Sequence, residues 1–397
     1  MEEKSWLNRI DFMVYFISDN IISSLGFSTQ ENFDSLLKGE IGIKTIDDIN
    51  YYPEPFPASA IDEKRLKEEF QKLATKYSNN SNFTKLEKML LLSVNDALSK
   101  TEIDIASGKT AIVLSTTKGN IDLLEMKKSK NYEHERVLLW KLGEIIGKFY
   151  HNPNEVIILS NACISGVLAI NTAAMIINSG QYDNVIVTGG DILSKFVVSG
   201  FMSFLSLSPT ACKPFDKNRD GLSLGEAAGT IILSNSPIIK EQNIVFKGGS
   251  SANDANHISG PSRTAEGSFI AIKKAMKEAE MDSKQINHIS AHGTATPYND
   301  DMESIAIERH GMQNIPVNSI KGTLGHTLGA AGIIETAILL EEMRHNTMLK
   351  TTGFQEIGVS KPINILNKIT KKELKTCLKM ASGFGGSNAA LVVSKIY

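Results

Sequence analysis

The strongest constraint on this chain is its repeated alternation of short, branched apolar runs with longer amphipathic stretches. "FMVYFIS" (12–18), "TAIVLST" (110–116), "EVIILS" (155–160), "NVIVTGG" (184–190) and "GTIILS" (229–234) are too short and too rich in Val and Ile for helices, and they predict buried strands. Helical spacing falls between them, over 29–38, 63–77, 84–99, 120–128, 134–149 and 165–179. Strands that are apolar throughout need cover on both faces, so the pattern predicts α/β layers. The theme returns later in the chain. "NIVFKGGSSA", "HISAHGT" and "IPVNSI" predict strands, and 268–281, 300–311 and 329–345 predict helices, before "ASGFGGSNAALVVS" ends the chain with a Gly-rich turn and a strand. Each part contains a strand, a turn, a reactive polar residue and an apolar helix, a weak likeness that points to two halves of related build. The expected division is 1–240 and 241–397, at the polar, Pro-containing connector 236–244.

A length of 397 residues exceeds one simple core, and a net charge of −2 gives no global argument for nucleic acid or anionic membrane. No apolar run is long enough to span a bilayer. The first residues carry acids and no apolar core before a small-residue cleavage site, so no signal peptide is expected. Cys163, Cys212 and Cys377 are few, odd in number and far apart, which fits a reducing compartment better than a disulfide framework. A cytoplasmic chain without membrane or nucleic-acid partner is the expectation.

In "VIILSNACISG" (156–166) a thiol stands where a predicted strand turns into a predicted helix. Unsatisfied N–H groups and the helix dipole at that point favour a thiolate, so the expected effect is a lowered pKa and an activated nucleophile. Ala162, Ser165 and Gly166 are small enough to let a substrate approach. That stretch alone fits a buried structural cysteine equally well, as holds for Cys212 and Cys377. "SAHGTATPYND" (290–300) places His292 at a strand end, where α/β sheets build their sites. "SIKGTLGHTLGAAG" (319–332) places Lys321 and His326 in one Gly-rich turn before a helix. "SGFGGSN" (382–388) is a flexible turn able to aim backbone N–H groups at an oxyanion.

Cys163 with "HGTATPYND", "KGTLGHTLGAAG", "GFGGSNAAL" and "PFDKNRDGLSLGEAAG" (214–229) resembles the motif set of the β-ketoacyl-acyl carrier protein synthases, closest to the elongating type with Cys-His-His. The likeness runs in order over nearly the whole chain. It implies a thiolase-like fold, two similar halves packed as five layers, αβαβα, and usually a dimer. It also implies a decarboxylative Claisen condensation with no cofactor, the substrates riding on the phosphopantetheine of an acyl carrier protein. By that resemblance Cys163 accepts the acyl chain, and the N–H groups of Cys163 and Phe384 form the oxyanion hole. His292 and His326 donate to the enolate oxygen left by loss of CO2. Lys321 organises His326 and a carboxylate, with Glu303 as the matching residue. Thr294 and Thr296 match positions that bind the phosphopantetheine arm, although as residues they are equally good turn formers. The charges of "PFDKNRDG" suit a structural ion network. Lys85, Lys88 and Lys213 are candidates for docking the carrier protein, with a solvated face as the plainer expectation.

The chain departs from that pattern in several places, among them a shortened segment between "STTKGN" and "NACISG" and a trimmed stretch between "GFMSFLSLSPT" and "PFDKNRDG". "ISDNIISSLG" lacks the usual glycines, "RVLLWKLGEIIGKFY" replaces a loop that commonly shapes the acyl pocket, and Ser382 stands where an aromatic residue is frequent. These changes bear on the acyl substrate and fit a specialised synthase of polyene, pigment or other secondary-metabolite chains. Homodimer and heterodimer both remain open. A non-catalytic chain-length partner would be expected to lack Cys163. A thiolase needs a second cysteine near the C-terminus, and "SGFGGSN" has none. A cysteine hydrolase leaves the Lys321/His326 pair without a task, and the histidines lack metal-ligand spacing along the chain.

Overall fold

A computed structural model describes residues 13–79, 81–125, 132–237, 243–254 and 260–396. The first half runs β1 (Val14–Ile22), α1 (Thr29–Lys38), β2 (Ile43–Ile46), β3 (Phe56–Ser59), α2 (Glu63–Lys76) and α3 (Lys85–Ser99). It continues with β4 (Thr110–Ser115), α4 (Leu139–Phe149), β5 (Ile157–Leu159), α5 (Ser165–Asn178), β6 (Asn184–Asp191), α6 (Lys195–Ser203), β7 (Leu224–Gly225) and β8 (Ala227–Ser234). The second half begins with β9 (Ile244–Asn253), α7 (Glu266–Glu278), β10 (His288–Ser290), α8 (Pro297–Arg309), β11 (Pro316–Asn318) and α9 (Lys321–Leu324). It ends with α10 (Ala331–His345), β12 (Thr347–Met348), β13 (Asn364–Ile365), β14 (Thr370–Lys371), β15 (Thr376–Gly383) and β16 (Ser387–Lys395).

The main sheet orders its strands β13-β11-β10-β15-β16-β9-β1-β8-β6-β4-β5. On one side of the β9/β1 junction, β11 and β10 run parallel to β15, which turns back antiparallel through β16 and β9. On the other side β5, β4 and β6 are parallel and are followed by antiparallel β8 and β1. With the short edge strand β13 set aside, the five remaining strands of each half, taken in chain order, read third, second, fourth, fifth, first from the edge inward. The two halves therefore share one topology, and they meet where Val14 and Tyr15 of β1 pair with Phe246 and Val245 of β9.

Alternate residues of a strand face opposite ways, and here both faces are apolar. In β4, Ala111 and Val113 face a central core with Val185 and Val187, whereas Ile112 and Leu114 face an outer core with α2, α3 and α4. In β15 and β16, Leu378, Met380, Ala390 and Val392 pack with α7 and α8. Helices α5 and α10 lie in the central core between the two sides, contributing Val167, Ile170, Ile333 and Ile338. Helices, sheet, helices, sheet, helices make five layers.

The inner helices approach closely because glycine faces glycine. A Cβ on Gly166 would lie 2.7 Å from Ile333 N and 3.0 Å from the Gly332 Cα, and one on Gly332 would overlap the Val167 amide nitrogen. Gly166 is thus used for packing, not for substrate access. The expected effect of Gly332→Ala is a loss of about 1–3 kcal/mol by denaturant unfolding, and an unchanged midpoint would refute this crossing.

Several sequence expectations change in detail. The predicted helix 120–128 is a single 3-10 turn, Ile121–Leu124, and its last residues lie outside those described, as do most of the Lys/Asn-rich stretch 127–133, the middle of the connector 236–244 and residues 1–12. The stretch 134–149 splits into a 3-10 turn, His134–Val137, and α4. Helix α6 was not anticipated, and Ser194 caps it by accepting from Val197 N. Among the described residues no helix is long and apolar enough to cross a membrane.

Candidate active site

Strand β5 ends at Leu159 and the chain reverses through Asn161 and Ala162 into α5. Ala162 has φ 45°, a conformation unfavourable for a residue with a Cβ, so this turn stores strain. Ser165 holds it: its Oγ donates to Ala162 O at 2.6 Å and accepts from Asn161 N at 2.8 Å. The turn sets Cys163 just ahead of the helix start, buried at the floor of a cavity of about 510 Å³.

The second half supplies the rest. His292 follows β10, and His326 follows the α9 turn, where Gly325 takes φ 70°. His326 is fixed by its own backbone, which donates to Ser223 O at 2.7 Å and accepts from Gly225 N at 3.0 Å. That gives the end of the "PFDKNRDGLSLGEAAG" motif a positioning task. Donor atoms of Cys163, His292 and His326 all lie within 4.8 Å of one another, and the two rings are 5.1 Å apart at 86°. Thr294 and Thr296 line the same cavity with their hydroxyls 2.9 Å apart. Residues that looked unrelated in sequence spacing form one cluster.

Behind the histidines sits a buried ionic group. Lys321 Nζ lies 3.2 Å from His292 Nδ1 and 2.5 Å from His292 O, and it pairs with Glu335 of α10. This corrects two expectations. Lys321 organises His292, not His326, and its carboxylate partner is Glu335, not Glu303. Glu303 instead accepts from the N–H groups of His292 (2.7 Å) and Gly293 (2.6 Å), bracing the turn after β10 from outside the cavity lining. Burial, and then the adjacent Asp300 carboxylate, push Glu303 up to about 7. The other oxygen of Glu335 meets a second buried lysine, Lys379 of β15, at 2.6 Å.

These charges decide protonation. An ammonium can only donate, so Lys321 requires Nδ1 of His292 to accept and leaves the proton on Nε2. His326 Nδ1 has no hydrogen-bond partner among the described residues. Burial first, then Lys321, holds both imidazoles well below their ordinary range. For Cys163 the expected lowering is overturned: burial pushes the thiol up to about 11, against the opposing pull of Lys321 and of the Phe384 backbone hydrogen bond. The depth of burial opposes ionisation of this thiol at the helix start.

Phe384 lies in the β15–β16 turn, where Gly385 (φ 82°) and Gly386 (φ 75°) permit the tight reversal. Its N–H reaches Cys163, and its ring stacks on Phe201 at 5.7 Å and meets Phe204 edge-on at 5.4 Å. Ser382 also lines the cavity and donates to Asn388 Oδ1 at 2.9 Å.

The expected ion network of "PFDKNRDG" is mostly charge against backbone. Asp216 accepts from Asn218, Gln355 and Glu356 N–H groups, and Arg219 donates to the carbonyls of Asp216, Gly358 and Pro297. Lys85 is not on a solvated face, because it is largely buried between Glu226 (2.6 Å) and Glu63 (2.8 Å). Lys88 lies half-buried over the Phe70 ring, and Lys213 is half-buried beside Cys212.

Three residues of this centre went unanticipated: Glu335, Lys379 and Asp191. Asp191 closes β6 and accepts from Thr116 Oγ1 (2.9 Å), Thr117 N (2.9 Å) and Gly329 N (2.7 Å), tying the first half to the entry of α10. The available signal was an acid or a lysine at a position whose period demands burial, as in "GIIETAILL" and "TCLKMAS".

Both halves of the chain match known protein families. Residues 15–237 match the family described as "Beta-ketoacyl synthase, N-terminal domain" and residues 244–355 match "Beta-ketoacyl synthase, C-terminal domain". The putative mitochondrial 3-oxoacyl-[acyl-carrier-protein] synthase of Schizosaccharomyces pombe is 28% identical, covering 94% of this chain and 97% of its own. The 3-oxoacyl-[acyl-carrier-protein] synthase 2 of Vibrio harveyi is 25% identical over 95% of this chain and 97% of its own. Among solved structures, the ketosynthase ApeO in complex with its chain length factor ApeC from Xenorhabdus doucetiae superposes with a TM-score of 0.85 at 25% identity, over 99% of this chain and 100% of that one.

Proposed function

This chain belongs to the β-ketoacyl synthase family, and from that premise we propose that it is a 3-oxoacyl-[acyl-carrier-protein] synthase, an acyltransferase running a decarboxylative Claisen condensation. One observation carries the reading: a thiol and two imidazoles share one cavity, with the buried Lys321 Nζ set against Nδ1 of one imidazole.

In the first step the Cys163 sulfur attacks the acyl thioester, its proton passes by way of His326 to the departing carrier thiol, and the acyl chain is held as a thioester. The N–H groups of Cys163 and Phe384 receive the oxyanion. In the second step a malonyl thioester loses CO2, and the electron pair of the broken C–C bond becomes an enolate. Its oxygen accepts from His292 and His326. In the third step the enolate carbon attacks the acyl carbon, and collapse of the tetrahedral intermediate expels the Cys163 thiolate, which takes up a proton. No cofactor is required by these steps. Thr294 and Thr296 hold the phosphopantetheine arm, and the apolar wall of Phe201, Phe204 and Leu205 receives the chain.

The partners on this reading are an acyl carrier protein and a second synthase chain. The likeness to a ketosynthase that is paired with a chain length factor supports a heterodimer beside the homodimer. Within such a pair the intact Cys163, His292, His326 and Lys321 make this chain the active member. Three unpaired cysteines fit a reducing, cytoplasmic setting. A thiolase reading lacks its second cysteine, because Cys212 and Cys377 are buried away from the cavity.

The test is to supply acyl- and malonyl-carrier protein and measure CO2 release together with the mass of the carrier-bound product. A β-ketoacyl product two carbons longer is expected. A chain that accepts neither substrate, alone or with a co-expressed partner subunit, is not a synthase.

A further inference from the structure

Lys379 has no role in the steps above, yet it points into the same buried ionic group. It lies mid-strand in β15, is 0% exposed, and stands between the core residues Leu378 and Met380. Its Nζ is 2.6 Å from Glu335 Oε2, 3.1 Å from Ala291 O and 3.4 Å from Ser290 O. Ala291 immediately precedes His292, so this ammonium grips both the strand end that carries His292 and the carboxylate that holds Lys321.

A buried lysine is costly, and one carboxylate neutralises only one of two ammonium groups. A purely structural tie would need a single pair. Two lysines therefore share Glu335 beside His292, and burial holds Lys379 below the ordinary lysine range. The other charged or titratable groups facing this centre are Glu303 and Asp300 from α8, Asp191 from β6 and Cys163 itself. Glu303 and Asp300 are committed to backbone N–H groups, and Asp191 to the Thr116–Lys118 and Gly329 turns.

We propose that Lys379 is a positioning residue of the condensing centre, a second buried cation that fixes Glu335, and through it Lys321 and His292. Resting on the synthase reading above, this assigns a task to a residue outside the cavity. Both histidines are held low by burial first, with Lys321 and Lys379 each adding to that effect. The sign follows directly. Removing the Lys379 charge lets the imidazole pKa values rise, so protonation disables the histidines at a higher pH than in the wild type.

The experiment compares wild type, Lys379→Met and Lys379→Arg, following CO2 release from malonyl-carrier protein against pH. Lys379→Met is expected to move the acidic limb upward by about one pH unit and to lower kcat about tenfold with KM little changed. Lys379→Arg keeps the cation and restores the wild-type limb. Lys379→Met in a Glu335→Gln background is expected to cost less than the product of the two single losses, because the Lys379–Glu335 contact is lost in each single variant. An unmoved acidic limb, or costs that multiply, overturns the proposal. So does loss of the folded state in Lys379→Met and Lys379→Gln alike, since Lys379 would then serve stability alone. An inactive wild type refutes the synthase reading instead, which keeps the two failures distinct.

Discussion

Incubated with an acylated carrier protein, the wild-type chain is expected to gain the mass of one acyl group, and Cys163→Ala none. The basis is that Cys163 alone among the three thiols opens on the cavity. Cys212 donates its S–H to Lys321 O at 3.2 Å and is pushed up to about 11 by burial, and Cys377 lies inside β15 with its thiol raised well above the ordinary range. Neither has a route to a thioester. Alanine fills the Cys163 site without adding bulk, so folding should persist while the nucleophile is gone. The measurement is intact-mass spectrometry after a timed incubation. Equal labelling of both proteins would remove Cys163 as acyl acceptor and with it the proposed order of steps.

His292→Ala is expected to lower malonyl decarboxylation by about 10²–10³-fold, the usual cost of deleting one oxyanion donor, while Cys163 still acylates within about tenfold of wild type. Lys321, in contact at Nδ1, leaves Nε2–H of His292 as the donor for the cavity that this residue lines. Decarboxylation concentrates charge on the thioester oxygen and needs two such donors, whereas acyl transfer uses the N–H groups of Cys163 and Phe384. Release of labelled CO2 and acylation of Cys163 are measured separately. Undiminished CO2 release would take His292 out of enolate stabilisation; equal loss of both activities would place it in a shared structural role.

The sequence carried the fold far because its signals were periodic. β6 and α1 fall where their apolar spacing puts them, and both inner helices follow their apolar runs. The failures have local causes. The stretch 120–128 offers an apolar pattern, but the turn at Ile121–Leu124 ends at Glu125 in extended backbone. α6 escaped notice because Val197, Val198 and Gly200 are poor helix formers, and tertiary packing against Phe56 and Leu222 overrides them. At the site, Cys163, His292, Lys321 and His326 were legible as motif residues. Glu335 was not, since it lies 14 residues beyond Lys321 in a stretch that reads as pure core. The acidity of Cys163 was misjudged for a different reason. A helix start can be read from sequence, whereas the depth of burial that opposes it depends on the second half closing over the thiol.

That closure has a consequence for how the molecule comes alive. The nucleophile belongs to the first half, and the imidazoles, the ammonium groups and the Phe384 amide belong to the second, joined along β1 and β9. A chain caught with one half formed would carry a solitary thiol without a proton acceptor, unable to capture thioesters from its surroundings. On the proposed reading competence requires both halves in place, so acylation of Cys163 would double as a report that they are joined.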